Sequence, residues 1–162
     1  MLLYHSVKIR KNFPAVMQLS VLFLVFAITI LWKSAYDCDG TLLQHIQLGT
    51  YARRISQLLK NMVVTMLDNG FNVIVDEVCV GENSDMADWK SMLASYRVLY
   101  VGINTSVATL EQREKARGDR ILGSARAQWQ DVHKGAKYDV GINTDELCLA
   151  DCVGRIIDKL DV

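Results

Sequence analysis

The sequence predicts an α/β domain, a parallel sheet with helices on both faces. Three observations predict it. Apolar runs rich in valine and isoleucine at residues 71–80, 98–103 and 138–142 read as buried strands. Between them, apolar residues recur at helical spacing. No hairpin signal joins one of these strands to the next, so they need crossover connections and run parallel. At 162 residues the chain is one domain by length, large enough to bury a sizeable core.

The elements follow in order. Residues 14–32 hold no charge, and only Gln18, Ser20 and Thr29 interrupt them with polar side chains. As a helix this run would be roughly 28 Å long, close to the thickness of a bilayer core. Lys8, Arg10 and Lys11 precede it and would keep the N-terminus cytoplasmic. Three readings stay open: a membrane or export segment, a strand and helix of a soluble core, or a start that is not ancestral to the rest. The chain is cytoplasmic, or membrane-associated if residues 14–32 insert. This divides it into an apolar segment, 1–36, and an α/β domain, 37–162.

Asp37-Cys38-Asp39-Gly40 is a turn. From Leu48, apolar residues recur at Tyr51, Ala52, Ile55, Leu58, Leu59, Met62, Val63, Met66 and Leu67, and Gly70 is placed to end that helix. The strand at 71–80 carries Asp76 and Glu77 toward its C-terminal end. A short helix begins near Asp85, with Met86, Trp89 and Leu93 on one face. After the strand at 98–103, Thr105 or Ser106 caps a helix that ends near Gly118. Another helix runs from about Arg120 to His133 and stops at Gly135. Beyond the strand at 138–142, Thr144 or Asp145 caps a last helix with Leu149, Val153, Ile156, Ile157 and Leu160 inward.

Composition excludes several functions. Lys+Arg equals Asp+Glu at 18 each, so no basic excess marks a nucleic-acid footprint. Four cysteines do not make a disulfide framework in a chain of this size. Cys148 and Cys152 would share a helix face and read first as reduced cysteines on an apolar face, second as part of a metal site. His5, His45 and His133 are scattered, with no zinc spacing.

Two constellations carry chemistry. A carboxylate ending a buried strand, as at Asp76-Glu77, is the Walker B arrangement, in which it holds Mg²⁺ against nucleotide phosphates. The plainer reading is a solvated strand end. Arg113 and Arg117, four apart, share a helix face, and Arg120 follows the Gly118 break. Guanidinium forks suit phosphate oxygens and stabilise charge on a transferring phosphoryl group. Glu111, Glu114 and Asp119 are close enough to pair with them instead, as an ordinary salt-bridged face.

The joint pattern adds a resemblance. It comprises Asn72-Val73-Ile74-Val75-Asp76-Glu77-Val78, Trp89, Val98-Leu99-Tyr100-Val101-Gly102 and Leu110-Glu111-Gln112-Arg113-Glu114. It continues through Ala116-Arg117-Gly118-Asp119-Arg120, Gly123, Ala125-Arg126-Ala127-Gln128, Val132-His133 and Tyr138-Asp139-Val140. In that order it resembles the chloramphenicol phosphotransferase-like family, over about residues 37–162. The resemblance implies a P-loop kinase fold with an arginine-bearing lid. It implies transfer of the γ-phosphoryl of ATP, with Mg²⁺, to the hydroxyl of a small molecule. It makes Arg117 and Arg120 the catalytic lid arginines, and assigns Arg113, Asp76 and Glu77 to the cofactor, with Asp76 toward Mg²⁺.

The departures weigh as much. The family opens with a strand and a Gly-x-x-x-x-Gly-Lys-Ser loop that cradles the phosphates. None of the ten glycines here is followed by lysine. Losing that lysine and two loop amides removes roughly 4–9 kcal/mol of phosphate binding, about three to six decades in affinity or rate. The family's first strand is missing or replaced, unless residues 21–30 supply it. The expectation is an impaired phosphotransferase, or alternatively a non-catalytic, membrane-tethered anion-binding or interaction protein derived from that family.

Overall fold

The computed structural model describes residues 5–9, 16–19, 30–79, 84–119 and 121–160. The first part of the chain supplies four strands: β1 (His5–Ile9), β2 (Val16–Leu19), β3 (Ile30–Tyr36) and β4 (Leu42–Leu48). Helices and strands then alternate as α1 (Thr50–Asp68), β5 (Asn72–Glu77), α2 (Ser84–Met92) and β6 (Val98–Asn104). The chain continues through α3 (Val107–Arg117), α4 (Ser124–Val132), β7 (Val140–Asn143) and α5 (Leu149–Leu160).

The main sheet has the order β2-β5-β1-β6-β7. The pair β6–β7 is parallel, as the alternation predicts, and β2 also pairs parallel with β5. The central strand differs. β1 runs antiparallel to both β5 and β6, so the sheet is mixed. The strand between β5 and β6 is therefore His5–Ile9. The segment 21–30 lies outside the described residues except for Ile30, which begins β3.

A second correction concerns the hairpin. β3 and β4 pair antiparallel along their whole length, from Ile30 with Leu48 to Tyr36 with Leu42. The sequence marks the turn but hides its arms, because the first arm closes an apolar run that reads as helix. The turn itself follows from local chemistry. Asp37 Oδ1 accepts from the amides of Asp39 (3.2 Å) and Thr41 (3.0 Å), an Asx turn that reverses the chain. Gly40 completes it at φ +78°. The uncharged run at 14–32 contributes β2 and the start of β3, not one continuous helix; residues 20–29 are outside the described set. No helix among the described residues is long and apolar enough to cross a membrane.

The core forms on both faces of the sheet. On one face, Val63 and Leu67 of α1 meet Val73 and Val75 of β5, together with Trp89 and Leu93. On the other, Val101, Val140 and Ile142 pack with Cys152 of α5. Each fully buried Leu or Ile contributes about 1.5–3 kcal/mol. Helix α1 ends as its sequence predicts. The amides of Gly70 and Phe71 bond back to Leu67 (2.9 Å) and Met66 (3.0 Å), a Schellman closure that needs Gly70 at φ +84°. Its apolar stripe is wider than its buried face, however: Tyr51, Leu58 and Met62 are exposed, while Lys60 is buried.

Candidate functional site

Adjacent residues of a strand point to opposite faces, and this separates the acidic pair. Glu77 shares the face of Val73 and Val75. Its buried carboxylate accepts from Trp89 Nε1 at 2.7 Å. Burial raises the Glu77 pKa, while the Trp89 bond opposes that shift. Asp76 faces the other way. Ser6 of β1 pairs with Asp76 on one side and Val101 on the other, so Asp76 lies on the face of Val101 and α5. Its Oδ1 is buried and has no hydrogen-bond partner among the described residues. Desolvation pushes its pKa up to about 6. A buried carboxylate oxygen with an open valence suits a proton or a cation.

Beside Glu77 lies a buried lysine that sequence reading passed over. Lys60 is 3% exposed, with Nζ 3.4 Å from Asp85 Oδ1, 3.5 Å from Asp88 Oδ2 and 5.7 Å from the Trp89 ring centre. The available signal was its position three residues before Val63 on the buried stripe of α1.

The arginine-bearing segment is built on α3. Ser106 caps that helix by accepting from Thr109 N at 3.3 Å, and Gly118 ends it at φ +68°. Asp145 adds to this start: it accepts from Thr105 Oγ1 and Ser106 N, both at 2.6 Å, and these bonds hold its pKa low. Thus Asp145 serves α3 and not the last helix, which begins only at Leu149. Arg113 reaches Thr144 Oγ1 at 3.1 Å, and Thr144 in turn donates from its amide to Asn104 O at 2.9 Å. These bonds tie Arg113 to the carboxyl-end edge of β6 and β7. Arg117 pairs with Asp119 at 3.6 Å on an exposed surface. Arg120 lies outside the described residues.

Glu114 and Glu111 bond to other partners among the described residues. Glu114 is buried, and its carboxylate accepts from Gly123 N (2.8 Å), Ser124 Oγ (2.6 Å) and Ala125 N (2.8 Å). It thereby caps α4 from the preceding helix, where a carboxylate meets the helix dipole favourably. Glu111 Oε1 accepts from Arg126 Nε at 2.6 Å. Between these helices and the hairpin lies a cleft of about 300 Å³ lined by Thr41, Leu42, Glu111, Glu114, Lys115, Leu122, Gly123 and Arg126.

The cysteines make no site. Cys148 precedes α5 and its thiol donates to Asp151 Oδ2 at 3.0 Å, whereas Cys152 is in the core. Among the described residues no three His, Cys, Asp or Glu side chains gather as a metal cage. A lone carboxylate such as Asp76 fits Mg²⁺ only where phosphate oxygens and water complete the shell.

The central strand runs against both of its neighbours. Ile9 pairs with Val73 and Val98 at the starts of β5 and β6, while His5 pairs with Glu77 and Gly102 near their ends. The chain after β1 therefore departs from the edge opposite Glu77 and Asn104. A phosphate loop must follow the central strand at the same edge as the strand-end carboxylate.

Comparison with known proteins agrees with the pattern of residues. A family model described as chloramphenicol phosphotransferase-like protein matches residues 15–161. No curated protein matches the chain.

Proposed function

The chain belongs to the chloramphenicol phosphotransferase-like family, and from that premise we propose that it is an O-phosphotransferase by descent, acting on a small-molecule hydroxyl, whose use of Mg²⁺ and ATP is impaired. In this reading Arg117 and Arg120 face the transferring phosphate. Arg113 and Asp76 serve the nucleotide and Mg²⁺. Glu77, held by Trp89, supports the strand end.

The observation that carries the impairment is the reversal of β1. It adds to the absence of any Gly-Lys pair in the sequence. With the loop gone, roughly 4–9 kcal/mol of phosphate binding is lost. The arginines do not restore it, because they act on the transferring group and not on the anchored triphosphate. Titration calorimetry of Mg-ATP into the purified chain tests this: the expected result is no heat of binding at micromolar nucleotide. Micromolar affinity would refute the impairment.

The same reversal favours a second reading, a non-catalytic protein of this family that binds anions or a partner and keeps its arginines. Inorganic pyrophosphate separates the two. Binding that is lost in Arg117→Ala, with no phosphoryl transfer to any hydroxyl compound tried, supports the second reading.

A further inference from the structure

We propose that the hairpin β3–β4 and the arginine-bearing helix α3 move as one body, with Arg126 as the latch between them. Arg126 lies on α4 and reaches three carboxylates on two other elements at once. Its Nε donates to Glu111 of α3 at 2.6 Å, and its Nη1 reaches Asp37 (3.1 Å) and Asp39 (3.3 Å) in the hairpin turn. A planar guanidinium suits such a junction, since its donors are fixed in direction and one charge serves several carboxylates. The Glu111 bond is the first cause of the raised Arg126 pKa, so the charge persists across all ordinary pH.

Two further observations, independent of Arg126, fix the same joint. Gln44 of β4 donates its amide to Gly123 O at 3.3 Å. A Cβ on Gly123 would come within 2.3 Å of Leu42 O, so backbone meets backbone there. The hairpin has no strand in the main sheet. Its more extensive packing is on α4, with a lesser tie to α1 where Arg53 Nε donates to Leu48 O at 3.1 Å, and α4 is clamped to α3 by Glu114. A ligand or partner that displaces the hairpin therefore displaces α3 and the guanidinium groups it carries. The coupling is mechanical and stands apart from whether those groups act on phosphate.

Native-state hydrogen exchange on the full chain tests the proposal without any activity assay. The expected result is one opening event: the amides of residues 43–47 and of 111–117 share the same protection and the same denaturant dependence. In Arg126→Lys, which keeps the charge and loses the fork, both sets lose protection by the same factor, about tenfold. Protection in Val73, Val75 and Val101 stays at the wild-type level. Separate opening of the two sets in the wild-type chain, or loss confined to the hairpin in Arg126→Lys, overturns it.

Discussion

Asp76 is destabilising at neutral pH because of where its strand ends. Its carboxyl is desolvated and titrates near pH 6, against 3.8 in an unfolded chain. Between those values the folded protein holds a proton that the unfolded chain has lost. Stability from this group is therefore full below about pH 4 and falls as the pH rises to about 6. Discounted for its half-buried position, the loss is roughly 1–2 kcal/mol. Asp76→Asn should recover that at pH 7 and gain nothing at pH 4, measured as urea midpoints. A neutral or destabilising result at pH 7 would mean that the carboxylate is solvated. Gly102 is constrained in another way. A Cβ there would lie 2.4 Å from the Tyr138 ring, whose hydroxyl is 2.9 Å from His133 Nδ1. Gly102→Ala should cost about 1–3 kcal/mol by overpacking. In a Tyr138→Ala background the same change should cost nearly nothing, because the ring it strikes is gone.

At the scale of elements, Glu114 shows why sequence spacing misassigns charged groups. Its place between Arg113 and Arg117 suggests a salt-bridged face. Burial sends it instead to three donors at the start of α4, across a link bounded by Gly118 (φ +68°) and Gly123 (φ +88°). Glu114→Ala leaves those donors without their carboxylate and should cost about 2–4 kcal/mol. Glu114→Gln should cost less, since one carbonyl oxygen remains. Trypsin reports the same change locally: cleavage after Arg117 should accelerate in Glu114→Ala while β5 and β6 keep their protection. Equal cleavage rates would show that the glycines alone hold the link.

The helices from α1 onward were legible in existence and order from their apolar spacing, but not in every face or bound: Leu149, Val153 and Ile157, expected inward on α5, are exposed, and α4 begins at Ser124 instead of near Arg120. The strands β5, β6 and β7 were legible because they are short, apolar and bounded by turn residues. The cross-element bonds were not. Asp37, Glu111 and Arg126 lie up to 89 residues apart, and nothing in local pattern links a turn aspartate to an arginine on a later helix. Thr144 and Lys60 escaped for the same reason.

The whole molecule turns on its central strand, where pattern alone had least to offer. His-Ser-Val-Lys-Ile is five residues long, with one charged residue, so neither its strand character nor its direction is written locally. Only pairing decides it: β1 fills the place between β5 and β6 and completes ladders on both sides. An interior strand has a partner for every amide, so proline at any of its positions removes a ladder bond. Val7→Pro should therefore cost roughly 3 kcal/mol or more, enough to consume much of the stability of a domain this size. The edge strand β2 supplies the contrast. Among the described residues it has one neighbour, and its amides alternate between bonding β5 and facing away from it, so one of Met17→Pro and Gln18→Pro should be tolerated. Thermal unfolding of the three variants checks the order of the sheet. If Val7→Pro melts with the wild type, β1 does not hold β5 and β6 together, and the strand reversal on which the proposed impairment rests goes with it.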